Sequence, residues 1–448
     1  MNARRTIGEL ILSVVVFVFS LASIDAYAQI ITYTLTITTA GNGRTFPVAG
    51  TYTYDEGTEV TLIAIVAPGD AFIDWSGDIS STAKQISVVM NADISVTATF
   101  VQGKSPVSML PNPPGVGVPR PNGAPENLTV LDWAGFTGAV SYTFDDSLDS
   151  QIENYATLKA PGVPMTFYLN PTTESAYSDE QRAAAFRQWQ AEGHELGNHT
   201  YNHCEISAAG VLEPGSCLWT FDSDPPTGAT WQSELSDTAT WIIDTVGQYG
   251  VWSMAAPYGD DDWGTFAQAT PLLFHRGLWE GMLWPYDLVD QYSMPAFLAA
   301  GTEWGGLDDR QETFEQVIDN ARANASWALL VFHQIDPAND NIGCCLVPAV
   351  NITGSMQYLK ALNDVWGDTV AKIGSYWVAQ EFFSAITPTT RGSTMTWTWS
   401  LPANFPRHSY LRVLIDGGTL RQNGRILPWD EHGYYEISLE EGSLTLLP

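Results

Sequence analysis

The chain has 448 residues, a formal net charge of −31 and 45% hydrophobic residues, with 17 Trp, 18 Tyr and 18 Phe. This is a globular composition, and its negative charge argues against nucleic acid or anionic membranes as partners. The length implies about two to four domains.

The first element is not part of a fold. Arg4 and Arg5, the apolar run "ILSVVVFVFSL" and the small-residue site Ala26-Tyr27-Ala28 read as a signal peptide over residues 1–28. The expected location is secreted or periplasmic. No later stretch reaches the roughly 18 apolar residues of a transmembrane segment. Residues 30–101 alternate as strands do ("YTLTITT", "TEVTLIAIV", "ISVTATF"), broken by "AGNG" and "APGD", and form a β-module. Residues 102–132 are dense in Pro and Gly and read as a semi-rigid linker.

From 133 to 384 the texture changes. Short apolar runs ("AVSYTF", "PMTFYL", "WALLVF") alternate with helical stretches. In "SDEQRAAAFRQWQAEG", Ser178 is placed to cap, Gln181 to complete a capping box and Gly193 to stop the helix; "TFEQVIDNARANA" is a second helix. Apolar strands followed by amphipathic helices indicate a parallel α/β architecture. Residues 385–448 ("TMTWTWSL", "LRVLIDG", "YYEISL") are β-rich. The four cysteines of this exported chain are expected in disulfides. Cys344 and Cys345 are neighbours, so each is expected to pair with Cys204 or Cys217.

Chemistry concentrates at a few strand ends. Only 7 histidines occur, yet His199 and His203 stand four apart in "ELGNHTYNHCEI". On a helical turn they would face one side and share a metal ion. A third ligand is needed, and H-E-x-x-H is absent. The strand "AVSYTF" ends in Asp145-Asp146, where β/α enzymes place active-site groups, so one carboxylate can bind a metal while the other stays free as a base. The strand "WALLVF" ends on His333. A serine esterase lacks its G-x-S-x-G elbow, and a two-carboxylate glycosidase leaves the paired histidines unexplained.

The order Thr143-Phe144-Asp145-Asp146, His199-Thr200-Tyr201-Asn202-His203, Ala255-Ala256-Pro257-Tyr258, Leu330-Val331-Phe332-His333 resembles the polysaccharide deacetylase (NodB-homology) family, carbohydrate esterase family four. The resemblance covers about residues 136–384. It implies a distorted (β/α) barrel, with the β-module before it and the β-rich module after it. It also implies one divalent ion, zinc with cobalt or nickel as alternatives, on Asp146, His199 and His203. Asp145 would be the base, His333 the acid and the backbone of Tyr258 an oxyanion donor. Pro257 and Trp284 would meet an acetylated glycan substrate. The family's third motif opens with Arg where this chain has Ala255, and Arg276 is the candidate replacement cation. The alternative is a non-catalytic glycan-binding protein with a degenerate barrel. Residues 30–101 resemble a secreted bacterial β-repeat through "GTEVTLIAIVAPGDAFIDWSGD" and "VVMNADISVTATF".

Overall fold

The computed structural model describes residues 31–66, 70–101, 110–218, 223–286, 289–300, 306–337, 345–402 and 404–448. The expected signal peptide, Trp219, Asp287 and Cys344 lie outside the described residues.

The alternating segments at the start pair as their pattern requires. Thr32–Ala40 lies between Gly50–Asp55 and Ile94–Val101 in a four-stranded sheet completed by Ala71–Gly77. Gly43–Phe46, Glu59–Val66 and Gln85–Val89 form a three-stranded sheet. Leu35, Ile37, Leu62, Trp75, Val96 and Phe100 supply the core, each fully buried large side chain contributing about 1.5–3 kcal/mol.

The central unit is one eight-stranded sheet. In spatial order it runs Phe274–Arg276, Ser253–Ala255, Glu195–Asn198, Met165–Leu169, Gly138–Phe144, Trp327–Phe332 and Phe297–Leu298, with Val365–Gly367 also on Gly138–Phe144. All the pairings are parallel. One segment links the two ends: Met294 bridges Arg276, and Phe297–Leu298 pairs with Leu330–Val331. The result is the expected distorted barrel. Every residue of Gly138–Phe144 is buried, because helices cover one face and the barrel interior the other. Tyr142, Phe144, Phe167 and Leu196 point into the helix-covered core, while the alternate positions Ser141, Thr143 and Asp145 lead toward the site. Helix Asp179–Ala191 starts on the capping box of Ser178 and Gln181, and Gln311–Ala323 is the second expected helix.

The C-terminal strands form a five-stranded sheet and contribute to a three-stranded one. Tyr410–Ile415 pairs with Tyr435–Ser438 on one side and with Leu128–Val130 on the other. Residues 128–130 thus leave the linker: Leu128 and Val130 carry the strand alternation that Pro and Gly mask around them. Leu411, Val413 and Ile437 share a core with Phe274, Val370, Ile373 and Trp377 of the barrel.

Candidate active site

The ends of five strands build the site: Gly138–Phe144, Glu195–Asn198, Ser253–Ala255, Phe274–Arg276 and Trp327–Phe332. After Phe144 the backbone turns sharply, with Asp146 at φ 75° and Ser147 at φ 57°, a conformation Asp adopts more readily than bulky residues. Ser147 Oγ accepts from Asn170 N, and Thr173 Oγ1 donates to the Asp146 carbonyl. The turn therefore aims both carboxylates while its own polar groups are met.

The histidines converge by a different route from the helical turn expected of their spacing. His199 follows the strand Glu195–Asn198, and the chain then bends through Thr200 at φ 62° and His203 at φ 54°. Side chains hold this bend: Thr200 N donates to Asn198 Oδ1, His203 N donates to Thr200 Oγ1, and Asn170 Nδ2 donates to the carbonyls of His199 and Thr200. Local polar side chains replace the helix ladder.

Asp146, His199 and His203 bring three ligand atoms within 4.8 Å of one another, all buried. Asp146 Oδ1 stands 3.2 Å from Nε2 of each histidine and accepts no hydrogen bond among the described residues. His199 Nδ1 lies 2.9 Å from the Ala255 carbonyl. A carbonyl only accepts, so Nδ1 carries the proton and the neutral ring turns its Nε2 lone pair toward Asp146. An orphaned carboxylate oxygen and an imidazole lone pair aimed at one point fit a divalent cation. With no cation there, charge redistributes. Burial pushes the Asp146 carboxyl up, but the His199 and His203 rings outweigh it and hold it well below the usual range. Burial works against a charged His199, yet Asp145 and Asp146 raise it, whereas burial wins at His203 and lowers it. A binding cation would displace that proton.

Asp145 is occupied elsewhere. Arg276 Nη2 donates to both its oxygens, 2.5 Å from Oδ1, and the Arg276 side chain is fully buried. Arg276 is the register partner of Ala255, so the guanidinium arrives from the neighbouring strand beside the position that carries Ala in place of the family's Arg. The Tyr168 ring lies 5.2 Å from the guanidinium carbon. Gly197 makes room for that ring, because a Cβ there would sit 2.4 Å from Tyr168 Cδ1 and Cε1. Gly197→Ala is therefore expected to cost about 1–3 kcal/mol by overpacking and to slow turnover by displacing the support beneath Arg276. Denaturant unfolding and a rate assay measure the two effects; unchanged stability would mean the ring moves freely.

His333 Nε2 lies 3.8 Å from Asp145 Oδ2, with the side chain 14% exposed. Its Nδ1 has no hydrogen-bond partner among the described residues. Gln151 Nε2 donates to the carbonyls of both Asp145 and His333 and so ties the two strand ends together. Tyr258, at φ 56°, is 48% exposed with its ring 4.7 Å from that of His203. Burial, with Glu205 and Asp146 nearby, pushes its hydroxyl up to about 12, so it stays a donor, to the Ser216 carbonyl. Pro257 is buried and shapes this turn rather than offering a surface.

Trp284 is not among these residues. Its carbonyl accepts from Trp377 Nε1. Its neighbour Leu283 pairs with Trp327, at the start of the strand whose other end leads to His333. The resemblance had placed Trp284 against the substrate; the pairing of Leu283 with Trp327 sets it at the end of the barrel away from His333.

The disulfide joins Cys204 to Cys217, which overturns the expected cross-pairing. The reason is local. Ile206 bridges Leu212 and Ser207 N donates to the Val211 carbonyl, so the intervening loop folds back and brings its ends together. Cys345 is disulfide-bonded as well. The pinned loop begins directly after His203 and forms a wall beside Tyr258.

Sequence reasoning missed Gln151, Tyr168, Asn170 and Gly197. A polar residue in the turn of helix after Asp145-Asp146, Tyr and Gly within strands, and Asn directly after a strand were the available signals.

Residues 137–272 match the polysaccharide deacetylase family model, and residues 33–104 match that of the divergent InlB B-repeat domain. No curated protein matches the chain. Solved structures matched at low similarity include the Xyl-CE4 domain of a multidomain xylanase from the hindgut metagenome of Trinervitermes trinervoides (16% identity, 53% of this chain, 89% of that one, TM-score 0.32). Another is a peptidoglycan deacetylase from Bacillus subtilis (14%, 55% and 92%, TM-score 0.31). A third is a mutant CE4 family pseudoenzyme with restored enzymatic activity (13%, 53% and 67%, TM-score 0.32). The stretch similar to the polysaccharide deacetylase family model thus contains Asp145, Asp146, His199, His203 and Tyr258, and a stretch similar to the divergent InlB B-repeat domain precedes it.

Proposed function

We propose that this chain is a secreted or periplasmic hydrolase that removes acetyl groups from a polysaccharide or oligosaccharide, as N-acetyl amide or O-acetyl ester. One divalent ion, zinc or else cobalt or nickel, would be held by Asp146, His199 and His203. The observation that carries the reading is the convergence of three buried ligand atoms next to a separate carboxylate, Asp145, that is held by Arg276. Bound there, such an ion supplies Lewis acidity toward an acyl carbonyl and a nucleophilic water.

The chain's own groups do the rest. Asp145 accepts the proton of the attacking water, with Arg276 fixing the carboxylate and balancing its charge. The backbone N–H of Tyr258 donates to the oxygen that gains charge as the carbonyl carbon becomes tetrahedral. His333 delivers a proton to the departing nitrogen as the C–N bond breaks. An ester needs that proton less, since an alkoxide leaves more readily than an amide anion.

Acetate release from chito-oligosaccharides, peptidoglycan glycan strands and acetylated xylan tests this. At least one should release acetate, the release should fall to background with a chelator, and added zinc should restore it. A chain that binds one of these glycans but releases no acetate from any of them is instead the non-catalytic glycan-binding protein.

A further inference from the structure

We propose a second ligand site, at the end of the barrel opposite Asp146, which takes a neutral saccharide unit. A cavity of about 480 Å³ opens where the N-terminal β-module, the barrel and the C-terminal strands meet, within the roughly 300–1,000 Å³ of small-molecule sites. Its position follows from the strands. Glu195 and Trp252 line it, and they stand at the beginnings of the two strands whose other ends lead to His199 and to Pro257-Tyr258.

The wall holds polar groups that the fold leaves unmet. Asp70, from the N-terminal module, has its side chain fully buried with neither carboxylate oxygen hydrogen-bonded among the described residues. The nearest candidate counter-charge is His408 of the C-terminal strands, with Nε2 3.9 Å away. Neither ring nitrogen of His408 makes a hydrogen bond among the described residues, although Nδ1 is 3.5 Å from Glu440 Oε2. Buried acceptors without donors are costly, about 1–3 kcal/mol each and more when charged. Arg407 and Lys372 stand in the same wall, each already facing a carboxylate: Glu440 at 3.4 Å and Asp368 at 3.3 Å. Trp252 and Tyr410 add aromatic surface.

This mixture selects by charge. An anion would meet Asp70 and a cation would meet Arg407 and Lys372, while a lipid tail would leave Asp70 and His408 unsatisfied. A neutral polyol gives hydroxyl donors to Asp70, offers oxygens to Arg407 and Lys372, and lays its C–H face on Trp252 or Tyr410.

The test is calorimetric titration of the full chain with cellobiose, xylobiose and diacetylchitobiose. At least one should bind saturably, and with equal affinity to a His199→Ala/His203→Ala variant, which removes the ligand cluster at the other end. Asp70→Asn should weaken that binding about 10-fold or more, the loss of a charged hydrogen bond. Lys372→Ala, at a half-exposed position, carries the same prediction should Asp70→Asn fail to fold. Absence of saturable binding at millimolar disaccharide overturns the proposal. So does binding that vanishes in the histidine variant and persists in Asp70→Asn. The readout is binding, so it stands apart from whether the barrel removes acetyl groups.

Discussion

Asp145→Asn is expected to lower turnover by about 10²–10⁴-fold, the range of a positioned acid–base group, while metal stoichiometry stays that of the parent chain. The two neighbouring carboxylates have separate company. Asp146 faces His199 and His203, whereas Asp145 faces Arg276 and His333. An asparagine keeps an oxygen for Arg276 and keeps the side chain's shape, but it has no basic oxygen to take a proton. Turnover and metal content are measured on the same preparation. A variant that loses its ion along with its activity would put Asp145 among the ligands and refute the division of labour.

Arg276→Ala should be damaging in a different way. It leaves a buried carboxylate without its partner, which costs about 3–5 kcal/mol, and it frees the base to rotate. We expect a lower unfolding midpoint together with a large fall in kcat on both an amide and an ester substrate, with the ion retained. Ala255 and Arg276 are register partners on adjacent parallel strands, so their side chains emerge on the same face. An arginine at 255 can therefore reach the same carboxylate. The double variant Ala255→Arg/Arg276→Ala should regain much of the stability and rate, whereas Ala255→Arg alone should crowd two guanidinium groups beside one acid. Unchanged stability and rates in Arg276→Ala would show that the pair does nothing for Asp145.

The sequence was most legible where a local pattern and a tertiary need coincide. The run "AVSYTF" could be read as a doubly buried strand, and its abrupt end in two carboxylates marked a site, because charges tolerate such a place only with partners. Ser178 and Gln181 announced a helix start for the same reason: the cap is made within four residues. Arg276 could be suspected only because Ala255 left a gap in a familiar motif. What settles its partner is strand register, which no short window contains. Trp284 misled for the converse reason. It follows Arg276 closely in sequence, but Leu283 pairs with Trp327 at the opposite end of the barrel, while Met294 is back beside Arg276. The cysteines were misjudged because pairing depends on how a Gly- and Pro-rich loop folds back, and spacing does not encode that.

The strand Leu128–Val130 has a consequence for how the chain is made. It precedes the barrel, yet its partner is Val413–Ile415, synthesised only after every strand of the barrel. The core beneath Trp377 and Phe274 likewise waits for Leu411 and Ile437. Closing contacts this distant in sequence is slow, so the face of the barrel carried by Trp377 and Phe274 stays uncovered until the last strands are made.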